Sequence, residues 1–189
     1  MKPMTSFLAA MAASLFSLVC VAAAEDGAWT VDYAESKLGF KASQNGAGFE
    51  GAFEGFTATI VFDPAEVSAS SIEVVVDMST AKTGDRQKDQ ALPGSDWFRV
   101  KDHPQATYRQ ASMNDLGDGD YESVGTLTMR GVSKDVTLAF SLAIDGDTAT
   151  AEGTTTIIRS DFGVGQGQFS EGKWVSLEVE IPFKIVASR

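Results

Sequence analysis

Cysteine and histidine are nearly missing from this chain: Cys20 and His103 are the only ones in 189 residues. Cys20 lies in an N-terminal run that reads as a removable leader. The rest of the chain then has no disulfide, no thiolate nucleophile and no cysteine ligand for a metal. Its stability must come from packing and hydrogen bonds. One histidine cannot supply a Ser-His-Asp set with a choice of partners, and the ligand clusters of a zinc site are absent. His103 stands in the polar turn Lys101-Asp102-His103-Pro104, with no neighbour that would position it as a base. Positive charge is also scarce, with 15 Lys and Arg against 26 Asp and Glu and a formal net charge of −11. A chain this acidic is repelled by phosphates and by anionic headgroups. That argues against nucleic-acid binding and against electrostatic adhesion to a membrane surface.

What is present begins with the leader. Lys2 supplies a positive start, Phe7 to Val21 is apolar apart from Ser14 and Ser17, and Ala22-Ala23-Ala24 precedes Glu25-Asp26. This is the order of a signal peptide cleaved after Ala24, and the apolar run is short for a membrane span. Cys20 follows Val19 rather than a small residue, which argues against a lipoprotein. The expectation is a leader over residues 1–24, a single domain over 25–189, and export to the periplasm. The domain is long enough to bury a core of its own.

Beyond the leader the apolar period is two over most of the chain. Val136, Leu138, Phe140, Leu142 and Ile144 alternate with small or polar residues. Val175, Leu177, Val179, Ile181, Phe183 and Ile185 form a second stripe; Ile72, Val74, Val76 and Met78 a third; Ala58, Ile60 and Phe62 a fourth. Further strands are expected at 29–32, 37–43, 106–113, 121–130 and 148–158. Asp145-Gly146 suits a tight hairpin. A strand over 135–145 would run roughly 35 Å, and closure of such strands into a barrel removes exposed edges. Pro182 interrupts a stripe and implies a bulge, a free edge or a gap in pairing. The only helical signal is at Asp85–Ala91, with a turn near Ser95–Phe98. The expected fold is all-β: an antiparallel barrel of about eight strands with a short helical segment near 85–98.

Asn114, Asp115, Asp118, Asp120 and Glu122 do not match the spacing of a calcium loop, and Gly117 and Gly119 already account for a hairpin there. Gly163-Val164-Gly165-Gln166-Gly167 has no helix pattern after it, so it lacks what a phosphate cradle needs. No metal site and no catalytic residue is assigned. Bulky groups remain: Phe40, Phe49, Phe53, Phe56, Phe62, Trp97, Phe98, Tyr108, Phe140, Phe162, Phe169 and Trp174. They suit either a close-packed core or the lining of a cavity closed by the loop carrying Trp97 and Phe98. Alternation alone does not separate the two.

These residues also carry a resemblance. Trp29-Thr30-Val31-Asp32 with Ser36-Lys37-Leu38-Gly39-Phe40, Gly51-Ala52-Phe53-Glu54-Gly55-Phe56, Ile60-Val61-Phe62-Asp63, Asp96-Trp97-Phe98 with His103-Pro104, Gly125-Thr126-Leu127-Thr128-Met129-Arg130-Gly131-Val132-Ser133-Lys134 and Arg159-Ser160-Asp161-Phe162-Gly163-Val164-Gly165 resemble, in order, the YceI-like family. Its members are lipocalin-like, polyisoprenoid-binding proteins. The resemblance covers Trp29 to about Ala187. It implies an extended barrel holding a non-covalently bound isoprenoid lipid or quinone, with no other cofactor and no enzymatic activity. The implied lipid-contacting residues are Phe40, Phe53, Phe56, Phe62, Trp97, Phe98, Tyr108, Leu127, Met129, Phe140, Leu142 and Phe162. Arg130 and Arg159 lie in these motifs as candidates for a polar headgroup, with Asp135 and Asp161 as alternative partners that would fix a turn. The segment 84–97 resembles members that accompany membrane b-type cytochromes. It keeps open a second reading, an accessory subunit of a redox protein with a filled core. A homo-oligomer is compatible with either.

Overall fold

Eleven strands build one antiparallel sheet that closes on itself. The computed structural model describes residues 27–189, so the leader expected over 1–24 lies outside them. The strands are β1 Ala28–Val31, β2 Lys37–Gln44, β3 Ala47–Phe53, β4 Phe56–Val61, β5 Ser71–Asp77, β6 Ala81–Lys82, β7 Gln105–Gly117, β8 Asp120–Met129, β9 Val132–Asp145, β10 Thr148–Ile158 and β11 Glu178–Ser188, with one helix, α1, at Arg86–Ala91.

Register reduces this list to eight long strands. β1 and β2 both lie antiparallel to β11, through Val31↔Ala187 and Leu38↔Phe183. They are one strand broken by the turn between them. β3 with β4, and β5 with β6, are broken strands of the same kind: β3 pairs β2 and β6, while β4 pairs β1 and β5. Each long strand then pairs with the next in sequence, and β11 returns to β1. The result is a closed eight-stranded meander, the barrel the alternation implied.

Turns with positive φ make the tight connections. Asn45-Gly46, Asp118-Gly119 and Arg130-Gly131 each have positive φ at both central positions, the geometry whose twist matches the flanking strands. Asn and Asp tolerate this well; Arg130, at φ 52°, is an unusual residue there. β11 stays paired with β10 through Pro182↔Thr154. Towards β2 its pairs are Glu180↔Lys41, Phe183↔Leu38 and Lys184↔Lys37, with Ile181 and Pro182 unpaired between the first two. The interruption that proline implied falls on that side. α1 starts where its capping residue allows: the Asp85 carboxylate accepts from the N–H groups of Gln87 and Lys88.

Two buried clusters lie at opposite ends of the barrel. At the end carrying the Asp118-Gly119 turn are Trp29, Val31, Phe62, Met113, Tyr121, Ala149 and Ala187. At the other are Phe40, Met78, Ala81, Leu92, Phe98, Ala106, Met129, Ile157, Phe162 and Val164. α1 and the segment after it, together with the 159–177 loop, cover the second end. The two covers are tied where the Asp96 carbonyl accepts from the N–H groups of Gly165 and Gln166, both at 2.7 Å.

Candidate functional site

Between the clusters the barrel is not filled. Inward side chains at mid-barrel, among them Val74, Leu127, Leu138, Phe140 and Phe183, are only half-buried although no strand lies outside the ring to expose them. They border a cavity of about 210 Å³ that runs from Trp29 and Phe62 to Met78 and Met129. One water needs only ~10–15 Å³ by that kind of measure. The filled-core alternative is therefore corrected by the void itself.

Two features of the wall create the space. The inward face of β10 is small: Ala149, Ala151, Gly153 and Thr155 stand where other strands carry Phe, Leu or Ile. Glycines also let aromatic rings lie flat against the wall. A β-carbon on Gly125 would come within 2.7 Å of the Tyr108 ring, and one on Gly153 within 2.6 Å of Phe183. Rings held against glycine line the barrel without crossing it. A ladder of aromatic contacts continues along the wall, with centroids 5.4 Å apart for Phe62–Tyr121, 5.8 Å for Tyr121–Phe140 and 6.4 Å for Phe140–Phe183.

The lining is almost entirely carbon. Its polar groups are committed elsewhere. The Tyr108 hydroxyl donates to the Ser123 carbonyl at 3.0 Å and shares a hydrogen bond with the buried Ser123 hydroxyl at 2.8 Å. Thr155 Oγ1 donates to the Thr137 carbonyl at 2.8 Å, and Trp29 Nε1 to the Phe62 carbonyl at 2.9 Å. Burial pushes the Tyr108 and Tyr121 phenols above the ordinary tyrosine value, so neither brings charge to the interior at neutral pH. Raised folded-state pKa values mean that this contribution to stability is full below the unfolded tyrosine value of about 10 and is lost only as pH rises beyond it, through the higher folded-state values. We therefore expect affinity for an apolar ligand to be flat between pH 6 and 9, measured by fluorescence titration. A steep change within that window would mean that a charged group faces the ligand.

The expected contact residues divide into two groups. Phe53, Phe56, Phe62, Tyr108, Leu127, Met129, Phe140 and Leu142 border the cavity. Phe40, Phe98 and Phe162 are buried in the cluster beneath it. Trp97 lies over Phe169 at 5.1 Å and under the Arg159 guanidinium at 5.5 Å. These four cap the cavity and do not line it. Ile144, at the end of the first stripe, is exposed beyond the rim. Residues not singled out as contacts but found on the lining include Trp29, Met113, Leu138 and Phe183. Leu138 and Phe183 belonged to legible stripes. The small face of β10 carried a signal too, the alternation in Thr148-Ala149-Thr150-Ala151, which is easily passed over because small residues look uninformative.

The two arginines differ sharply. Arg159 is 2 % exposed, and its five N–H donors meet the carbonyls of Ser176, Val164, Gly165, Phe169 and Val175. It organises the 159–177 loop and has no donor left for a headgroup; it does not pair with Asp161. Loss of solvent lowers its pKa from the ordinary value, and carbonyl dipoles take the place of a carboxylate. Arg130 does not pair with Asp135 either. It donates to the Ser95 carbonyl at 2.7 Å and borders a surface cleft with Arg99 and Lys101. His103 packs against the Arg130-Gly131 turn, where a β-carbon on Gly131 would come within 2.9 Å of the imidazole. This is a packing role, outside the cavity. His103→Ala should leave the lipid content of the purified protein unchanged by mass spectrometry, and loss of ligand from the folded variant would contradict that.

This arrangement can be compared with known proteins. The model of the YceI-like domain matches residues 29–187. The chain belongs to the YceI-like family. A UPF0312 protein of Ectopseudomonas mendocina is 31% identical over 168 residues, covering 81% of this chain and 88% of the relative. The crystal structure of Burkholderia cenocepacia BcnA superposes with a TM-score of 0.81 at 35% identity, covering 84% of this chain and 99% of that one. A domain from Saccharophagus degradans, described as polyisoprenoid-binding, shares the fold with a TM-score of 0.65 at 16% identity, covering 85% of this chain and 97% of that domain. This YceI-like chain thus shares its barrel with solved structures across a wide range of sequence.

Proposed function

We propose that this YceI-like protein binds one long isoprenoid chain, a polyprenyl lipid or the tail of an isoprenoid quinone, inside the barrel, and carries it without catalysing a reaction on it. One observation carries the reading: a closed barrel encloses an elongated void whose wall is carbon and whose polar groups are already hydrogen-bonded to protein. Such a wall rewards an apolar chain by roughly 25 cal/mol for each Å² removed from water and offers a headgroup no partner. The polyisoprenoid-binding description of the Saccharophagus domain agrees with this chemistry.

A headgroup would remain outside the cavity. The cleft bordered by Arg130, Lys101 and Arg99, the last already paired with Asp102, and by Asp96, offers Arg130 and Lys101 to a headgroup; Arg159 offers nothing, its donors being spent. The leader pattern of residues 1–24 supports a periplasmic carrier. The test is organic extraction of protein purified from its native compartment, followed by mass spectrometry. A near-stoichiometric prenyl lipid or quinone is expected; protein that is repeatedly empty, and that takes up no prenyl lipid from vesicles, would end the proposal.

A further inference from the structure

Each end of the barrel carries a cluster of buried side chains, which raises the question of how a long ligand reaches the cavity. The ladder between β9 and β10 runs from Thr148↔Asp145 to Thr154↔Ala139 and stops there. Neither strand ends at that point. β10 continues to Ile158, fully paired with β11 down to Ile158↔Glu178. β9 continues back to Val132, paired with β8 to Met129↔Val132. By the register above, Thr155, Thr156, Ile157 and Ile158 would face Leu138, Thr137, Val136 and Asp135. Instead the two strands run side by side there without a ladder pair. The barrel has a lateral seam, and it cannot be ascribed to strand length or to a proline.

The seam opens onto the cavity. Val136 and Leu138 on one side, and Thr155 and Ile157 on the other, all border it. At the point where the ladder stops, a side chain bridges the strands: Thr155 Oγ1 donates to the Thr137 carbonyl. Lower down, Phe162 belongs to the same apolar cluster as Val132, Val136 and Ile157. Opening an end would break up a buried aromatic cluster and, at the α1 end, the carbonyl shell of Arg159. Opening the seam breaks no ladder pair; it parts one side-chain hydrogen bond and the contacts of Val132, Val136 and Ile157 at the edge of the Phe162 cluster.

We infer that the β9–β10 seam is the portal through which the apolar ligand enters and leaves, with Thr155 as its latch. This rests on the apolar-ligand reading above. A chain threading sideways keeps its polar end in water throughout, which suits a cavity with no free polar group.

The test uses a Cys20→Ala background, since Cys20 is the only cysteine. Thr137→Cys with Thr156→Cys would lock the seam when oxidised. Ser141→Cys with Glu152→Cys places the same bond across a paired part of the ladder. Asp96→Cys with Gln166→Cys would lock the covered end. The probe is a fluorescent geranylgeraniol in phosphatidylcholine vesicles, and the readout is its rate of exchange. We expect at least tenfold slower exchange for the oxidised seam lock, recovery on reduction, and no change for the ladder control. Thr155→Val, which loses the latch bond and keeps the shape, should exchange severalfold faster. Uptake with an unchanged rate in the verified seam lock, or slowing by the end lock alone, overturns the portal and leaves the binding function standing. If the seam disulfide does not form, an unchanged rate for Thr155→Val overturns it equally. No uptake by any form overturns the ligand reading, and the portal with it.

Discussion

Arg159→Met should destabilise the protein by about 3 kcal/mol or more and release the 159–177 loop. The wild-type guanidinium is buried, with each N–H on a backbone carbonyl. Methionine matches much of its volume and none of its donors. The carbonyls of Val164 and Val175 lose the guanidinium donors they accept from in a place where water is scarce, and a buried acceptor without a donor costs roughly 1–3 kcal/mol. Arg159→Lys should be only partly better, because three donors on a single nitrogen cannot reproduce a planar fork. Gly165 belongs to the same arrangement. The Arg159 Nη1 atom stands 1.9 Å from where its β-carbon would be, and its φ is +83°, so Gly165→Ala should resemble the arginine variants. Thermal unfolding and amide exchange over 163–177 measure this. Native-like protection of the loop in Arg159→Met would show that the carbonyl shell does not hold it.

Ala151→Phe should abolish lipid loading while keeping the fold. Ala151 pairs with Leu142 on β9 and Ile185 on β11, and its methyl group faces the void. A phenyl ring there occupies empty space and buries apolar surface, which offsets much of the strain of insertion. The same enlargement at Phe140 is less clean, since that ring already lies between Tyr121 and Phe183, and Phe140→Trp would overpack at a cost of roughly 1–3 kcal/mol. Mass spectrometry of extracted ligand, beside a melting curve, separates the outcomes. Wild-type lipid content in Ala151→Phe would place the ligand elsewhere.

Comparing these two residues shows what kinds of feature a sequence displays. The alternation Val136-Leu138-Phe140-Leu142 told which face of β9 points inward because side chains alternate along any strand. Asp85 before a short polar helix, and Asp118-Gly119 between two stripes, are local signals of the same sort, decided by a few neighbouring residues. Family motifs such as Arg159-Ser160-Asp161-Phe162 marked positions that matter without saying how. Arg159 read as a candidate for a headgroup or for pairing with Asp161 and is a buried hub, because its acceptors come from backbone up to 17 residues away. Trp97 and Phe98 were expected both to close the cavity and to touch the lipid; they close the end and do not line the cavity.

The sequence alone thus determined the barrel, the inward faces of its long apolar stripes, its tight turns, its short helix and its resemblance to a family. Only the tertiary structure decided that the interior is hollow. Whether eight inward faces fill the space between them depends on their summed volume and on their relative stagger. Both are set by pairing between residues far apart in the chain, as in Ala151↔Ile185. The seam between β9 and β10 was invisible for the same reason: each strand reads as continuous, and the absence of pairing is a property of two strands and of neither alone.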